Sequence, residues 1–294
     1  MRKLILSMLA SLLLITVQAQ PFRTVNDLSY AKIHDKQKLD LYLPQSVEGA
    51  PIVLWIHGGA WAFGDRKNER DLAEKIVRKG IAVAVMSYRL SPGTWADPRF
   101  DTGIQHPEHI RDVASAFSWL YQNASEYGYS KNDIFVSGYS AGGHLSALLA
   151  TDPQYLKAHK LSLETIKGVI PIAGAYDIAD YHDTHYRFNG PDMADKHVKA
   201  VFGDTKEDFV QASPTHFAQN LEVPMFLISE NQSYKYTKIF EDTLKKTGKK
   251  DIQYLHVREL DHKGFYENLA QTDQSKYRDM ITDFIHKWSA DRHQ

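Results

Sequence analysis

The sequence predicts an α/β protein built on one doubly wound, mostly parallel sheet with helices on both faces. Three observations predict it. Short apolar runs alternate with amphipathic stretches at the pace of strand–helix repeats. Two of those runs, residues 51–56 and 81–87, are almost free of polar residues, as strands covered on both faces require. A third, residues 134–137, leads through a serine flanked by glycines directly into an apolar helix.

Taken in order, residues 39–43 alternate and stop at Pro44, which suggests an early edge strand. After the strand at 51–56 comes a glycine-rich turn. Residues 71–77 carry apolar positions at helical spacing, with Lys79-Gly80 as a stop. Ile110, Val113, Ala114, Phe117, Leu120 and Tyr121 mark one face of a longer helix. The compact apolar helix at 141–150 follows the strand at 134–137. Residues 166–172, 225–228 and 252–257 supply three more strands, and 281–288 a closing helix. Residues 152–165 and 178–216 break this rhythm. They read either as loops with short surface helices or, for 178–216, as a cap over a site at the carboxyl ends of the strands.

Composition bounds the chemistry. The 294 residues carry 35 Lys+Arg against 36 Asp+Glu, with 43% hydrophobic positions, enough for one sizeable core. There is no basic excess or Lys/Arg stripe to suit a nucleic acid partner. With no cysteine at all, disulfides, thiolate metal sites and a thiol nucleophile are excluded, which leaves hydroxyl, carboxylate or imidazole chemistry. Arg2 and Lys3 precede an apolar stretch over residues 4–17, and Val17-Gln18-Ala19 offers small residues for cleavage. Residues 1–19 therefore read as a signal peptide. As a helix, this 14-residue stretch covers about 21 Å, short of the ~30 Å hydrocarbon core. The expectation is export and a mature single domain over residues 20–294, with no membrane association after cleavage.

The chemistry concentrates at Gly138-Tyr139-Ser140-Ala141-Gly142. A serine on a tight strand-to-helix turn exposes its hydroxyl, and small neighbours let the backbone fold that sharply. The helix that starts there points free N–H groups and partial positive charge at any oxyanion formed beside the serine. Upstream, His57-Gly58-Gly59-Ala60-Trp61 follows another strand, and its glycines let main-chain N–H groups approach a reacting carbonyl.

These two elements, with Ser87-Tyr88-Arg89-Leu90-Ser91-Pro92, His106-Pro107 leading to Asp112 and Trp119, and Gly143-His144-Leu145, resemble the α/β-hydrolase superfamily over roughly residues 38–288. Within it they resemble the hormone-sensitive-lipase-like esterases, the acetyl and feruloyl esterases of the BD-FAE type, and kynurenine formamidases. The resemblance implies Ser140 as nucleophile and an oxyanion hole made by the amides of Gly59, Ala60 and Ala141. One such donor is typically worth ~3 kcal/mol of transition-state stabilisation. It also implies a histidine after the last strand, and Asp261-His262-Lys263-Gly264 occupies that place. Trp61 and His144 read as packing residues. The pairs His106/His109 and His182/His185 lack a third ligand at a recognisable metal spacing and read as surface or cap residues.

The acid departs from the family pattern. Relatives usually carry Gly-x-x-Asp after the seventh strand, where this chain reads Ser229-Glu230-Asn231-Gln232, with Gln232 at the aspartate position. Three accounts stand open: Glu230 reaches His262 from two residues earlier; the acid is Asp177 or Asp180; or the site is a dyad or a weakened enzyme. The implied activity is hydrolysis of small acyl esters, such as acetylated carbohydrates or feruloyl-type esters, without a cofactor. An arylformamidase, or a binding protein that keeps the fold, are the alternatives.

Overall fold

The computed structural model describes residues 21–45 and 48–290, so the leader read over residues 1–19 lies outside the described residues. Strands β1 (Phe22–Ser29), β2 (Lys38–Pro44), β3 (Ala50–Ile56), β4 (Ala82–Met86), β5 (Tyr129–Tyr139), β6 (Gly168–Ile172), β7 (Met225–Glu230) and β8 (Ile252–Val257) form one sheet in the order β1-β2-β4-β3-β5-β6-β7-β8. β2 pairs antiparallel with both β1 and β4, and every pair from β4 to β8 is parallel. The principal helices are α1 (Arg70–Val77), α2 (Glu108–Tyr127), α3 (Ala141–Thr151), α4 (Ile178–Asn189), α5 (Tyr234–Thr247), α6 (His262–Ala270) and α7 (Lys276–Ala290).

The pleat sorts the core into two layers. Ile52, Leu54 and Ile56 of β3 face α2, α3 and α5, meeting Ile110, Phe117, Leu145, Leu149 and Phe240. Val53 and Trp55 face the opposite layer with Leu72 and Ile76 of α1, Phe265 and Leu269 of α6, and Phe284 of α7. Full burial of each such side chain stabilises by roughly 1.5–3 kcal/mol. The periodic face read on α2 is its buried face. The helix ends at Gly128, whose left-handed φ of 83° closes the last turn onto the Ala124 carbonyl.

Residues 39–43 are not an edge strand. β1 lies outside them and covers β2, whose Leu39–Leu43 stretch is buried throughout. β1 is mostly exposed and polar, so it presents no apolar run to read and is held by its ladder to β2. The 178–216 segment is helical: α4 is followed by short turns at Pro191–Ala194, Ala200–Phe202 and Lys206–Gln211. Val198, Val201, Phe202, Phe209 and Ala212 from this segment join the core that contains Trp61 and Leu145.

The sheet register gathers the strand ends. Ile56 stands opposite Gly138, Tyr139 opposite Ile172, Ile172 opposite Ile228, and Glu230 opposite Val257. With neighbouring strands about 4.8 Å apart, the residues leaving β3, β5, β6, β7 and β8 emerge side by side at one edge.

Candidate active site

Ser140 sits between β5 and α3 with φ 56° and ψ −116°, a conformation costing on the order of 1–3 kcal/mol for a non-glycine residue. Its amide donates to the Ile172 carbonyl at 2.8 Å, and its carbonyl accepts from the His144 amide at 3.0 Å. The flanking glycines permit close backbone packing. A Cβ on Gly142 would lie 2.0 Å from the Ile56 oxygen, and one on Gly138 2.5 Å from the Gly142 carbonyl carbon. Helix α3 is thus pressed against the end of β3, and the half-buried serine faces the cleft.

His262 is the first residue of α6. Asp261 caps that helix by accepting from the Gly264 amide at 2.7 Å. Three groups fix the histidine. Tyr139, beside the serine, donates its hydroxyl to the His262 carbonyl at 2.6 Å, and the Gln232 side-chain oxygen accepts from the His262 amide at 3.2 Å. The ring Nδ1 stands 3.0 Å from Glu230 Oε1. Opposite an ionised carboxylate, Nδ1 carries the proton, which leaves Nε2 as the acceptor.

Glu230 is fully buried. Burial alone would raise its pKa, but the His262 ring and the amides of Gln232 at 2.6 Å and Ser233 at 2.9 Å outweigh it and hold the carboxyl below the usual glutamate range. Its contribution to stability is therefore present above the unfolded glutamate pKa and lost as pH falls through the folded value. Asp177 instead caps α4, accepting from the Asp180 amide at 3.0 Å and from the Thr215 hydroxyl at 3.2 Å. Burial and the Asp177 charge raise the pKa of Asp180. Among the described residues, the carboxylate bonded to His262 is Glu230.

Ser140, His262 and Ala60 are shared by two lobes of one cleft. The first, about 500 Å³, is lined by Phe63, Trp95, Tyr139, Tyr266 and Glu69 as well as Gly59. The second, about 270 Å³, is more polar and takes Ala141, Tyr181, His185, Lys235 and Tyr236. Gly59 and Ala60 have φ of 111° and 51°, and neither amide is used in the turn and loop hydrogen bonds. Ala141 opens α3, where an amide has no acceptor within the helix. Gly59, Ala60 and Ala141 line the same cleft as Ser140. Ser140 Oγ and His262 Nε2 share the cleft but are not hydrogen-bonded, which is common before a ligand draws such a pair together.

His144 is structural. Its Nδ1 accepts from Trp61 Nε1 at 3.2 Å, and its Nε2 donates to the Ala212 carbonyl at 2.7 Å, tying α3 to the 178–216 segment. Burial lowers its pKa to about 3. His109 is buried against the Ser91 hydroxyl at 2.8 Å, so it is not the surface residue expected. Among the described residues, no group of three His, Asp or Glu is placed to hold a metal.

Sequence reasoning missed Glu69. It is 3% exposed at the wall of the first lobe, and its Oε2 accepts from Trp55 Nε1 at 2.9 Å and the Tyr266 hydroxyl at 2.8 Å. Burial outweighs those two bonds and raises its pKa to about 7. The folded chain then holds a proton that the unfolded chain releases, so stability should fall as pH rises from about 4.5 to about 7, by on the order of 3 kcal/mol. Denaturation midpoints at pH 5 and pH 8 check this: Glu69→Gln should flatten the difference, and an equal slope in both proteins would contradict it.

A serine at a strand-to-helix turn, a histidine backed by a buried carboxylate and a glycine loop thus line one cleft. The family model described as BD-FAE matches residues 39–235, well over half the chain. The chain belongs to the BD-FAE family. This BD-FAE protein is 27% identical over 248 residues to the probable carboxylic ester hydrolase LipM of Mycobacterium tuberculosis, covering 80% of its own length and 55% of LipM. It is 27% identical to the kynurenine formamidase of Danio rerio, covering 84% of its own length and 78% of the relative. The chain thus spans little more than half of the Mycobacterium esterases it matches, 61% in the case of LipQ. Among solved structures, esterase B of Lactobacillus rhamnosis superimposes with a TM-score of 0.75 at 19% identity, over 92% of this BD-FAE chain and 87% of that one. A truncated carbohydrate esterase from gut microbiota gives 0.72 at 18% identity, covering 92% and 98%. These likenesses place the BD-FAE chain in the α/β-hydrolase fold.

Proposed function

We propose that this chain is a serine hydrolase of small carboxylic esters. The observation that carries the reading is the 3.0 Å pairing of His262 Nδ1 with buried Glu230, in a cleft that His262 shares with Ser140. Ser140 Oγ attacks the ester carbonyl while His262 Nε2 takes its proton. The oxygen that becomes negative meets the amides of Gly59, Ala60 and Ala141. Collapse breaks the bond to the leaving oxygen, which receives the proton from His262 and departs as an alcohol. Water, deprotonated by the same nitrogen, then attacks the acyl-enzyme, and the carboxylic acid leaves with the serine restored. Every step uses groups of this chain and water.

Acetylated carbohydrates and feruloyl-type esters are the substrate classes this reading favours, with the 178–216 helices as the wall that selects among them through Tyr181 and His185. The positively charged and apolar start of the sequence supports export of the enzyme. A second reading, hydrolysis of an N-formyl amide, draws on the formamidase relative. The same geometry serves it, with an amine as leaving group. Turnover of p-nitrophenyl acetate, acetylated xylan fragments and N-formylkynurenine by the purified chain separates the two. A fluorophosphonate adduct on Ser140 is expected. No adduct and no turnover would leave a binding protein on a hydrolase fold.

A further inference from the structure

We propose that Glu69 reads a hydroxyl group on the part of the substrate that occupies the first lobe. This inference rests on the ester-hydrolase reading and specifies its substrate class. The carboxyl is buried, yet it belongs to the lining of the cavity that Ser140 and His262 also line. Both of its protein donors, Trp55 Nε1 and the Tyr266 hydroxyl, converge on Oε2. Oε1 receives no hydrogen bond from any described residue, and it is not among the fully enclosed polar atoms that lack a partner. It therefore keeps accessible surface, and the cavity that Glu69 lines is the first lobe.

Without a ligand, cleft water serves Oε1, and a substrate group that displaces that water must return a hydrogen bond or lose affinity. A hydroxyl on the substrate can supply that bond. Phe63, Trp95 and Tyr139 give the rest of the lobe aromatic faces, and these cover the apolar face of a flat or ring-shaped group. A hydroxyl at the edge of that group suits Oε1 in either protonation state: it donates to the carboxylate and accepts from the acid. This matters because the pKa near 7 puts both forms within the neutral range. An anionic group there would meet a like charge whenever Glu69 is ionised.

Two sources share this chemistry, the phenolic hydroxyl of a feruloyl-type acid and a ring hydroxyl of a sugar. Binding to the Ser140→Ala chain, measured by calorimetry, tests the idea without turnover. The probes are ferulic acid against 3-methoxycinnamic acid, and methyl xyloside against its singly deoxygenated forms. The hydroxylated member of one pair should bind about tenfold more tightly, and the pair that does so identifies the source. Adding Glu69→Leu should bring the ratio close to one, with Glu69→Gln intermediate as the shape-conserving variant. Equal affinities within both pairs would overturn the proposal whether or not the leucine variant folds. So would a ratio unchanged by the Glu69 variants, or tighter binding of an amino analogue than of the hydroxyl compound. A hydroxyl preference in a chain whose wild type cleaves neither ester nor amide would sink the hydrolase reading alone. Turnover without a preference would sink this one alone.

Discussion

Ser140→Ala is expected to lower kcat/KM by about 10⁴- to 10⁶-fold toward any ester the wild-type chain cleaves, and to abolish fluorophosphonate labelling. The reason is covalent: without the oxygen there is no acyl-enzyme, and only the amides of the glycine loop and the walls of the cleft remain to favour the reaction. The fold should survive. The Ser140 side chain makes no hydrogen bond to the described residues, whereas its backbone is held by Ile172 and His144, and alanine keeps that backbone. Steady-state turnover and labelling by mass spectrometry check the result. A loss smaller than tenfold would mean that the serine is not the nucleophile.

Glu230→Gln should lower kcat by about two to four orders of magnitude. The amide keeps the size of the side chain, but it cannot stabilise the imidazolium that forms when His262 takes the serine proton. It also meets a local conflict. Three donors converge on the carboxylate, from the His262 ring, Gln232 and Ser233, and an amide offers one acceptor oxygen where two are needed. A stability loss of about 1–3 kcal/mol should accompany the kinetic one. Stopped assays and a denaturation curve on the same protein separate the two effects. An unchanged rate would mean that Glu230 does not act as the acid.

The sheet was legible where burial dictates composition. β3, β4 and β6 are enclosed on both faces, and their residues show it as apolar runs. β1 was not, because its stability comes from main-chain pairing with β2 rather than from side chains that periodicity could reveal. The 178–216 helices were legible only as a break in rhythm. Pieces of three to six residues are too short to display a 3.6-residue period. The Ser140 turn was readable from its local motif because a sharp strand-to-helix turn demands small neighbours, whereas His262 was picked out by its place in the chain after the last strand. The acid was harder. The family pattern put its aspartate at Gln232, whereas the carboxylate that meets Nδ1 is Glu230, two residues earlier and one of the candidates the sequence offered. Glu69 carries no local signature at all. Its place in the cleft arises from where α1 and α6 pack, and that is information held by the whole sheet.

Glu230 is the last residue of β7, set opposite Val257 of β8, and this has a mechanical consequence. A carboxylate carried on a free loop can drift out of line when that loop breathes. One carried at the end of a paired strand has its backbone held by the ladder, so Glu230 has a fixed root. Any change in the Glu230–His262 separation then falls to the Glu230 side chain and to the first turn of α6, which bears the imidazole.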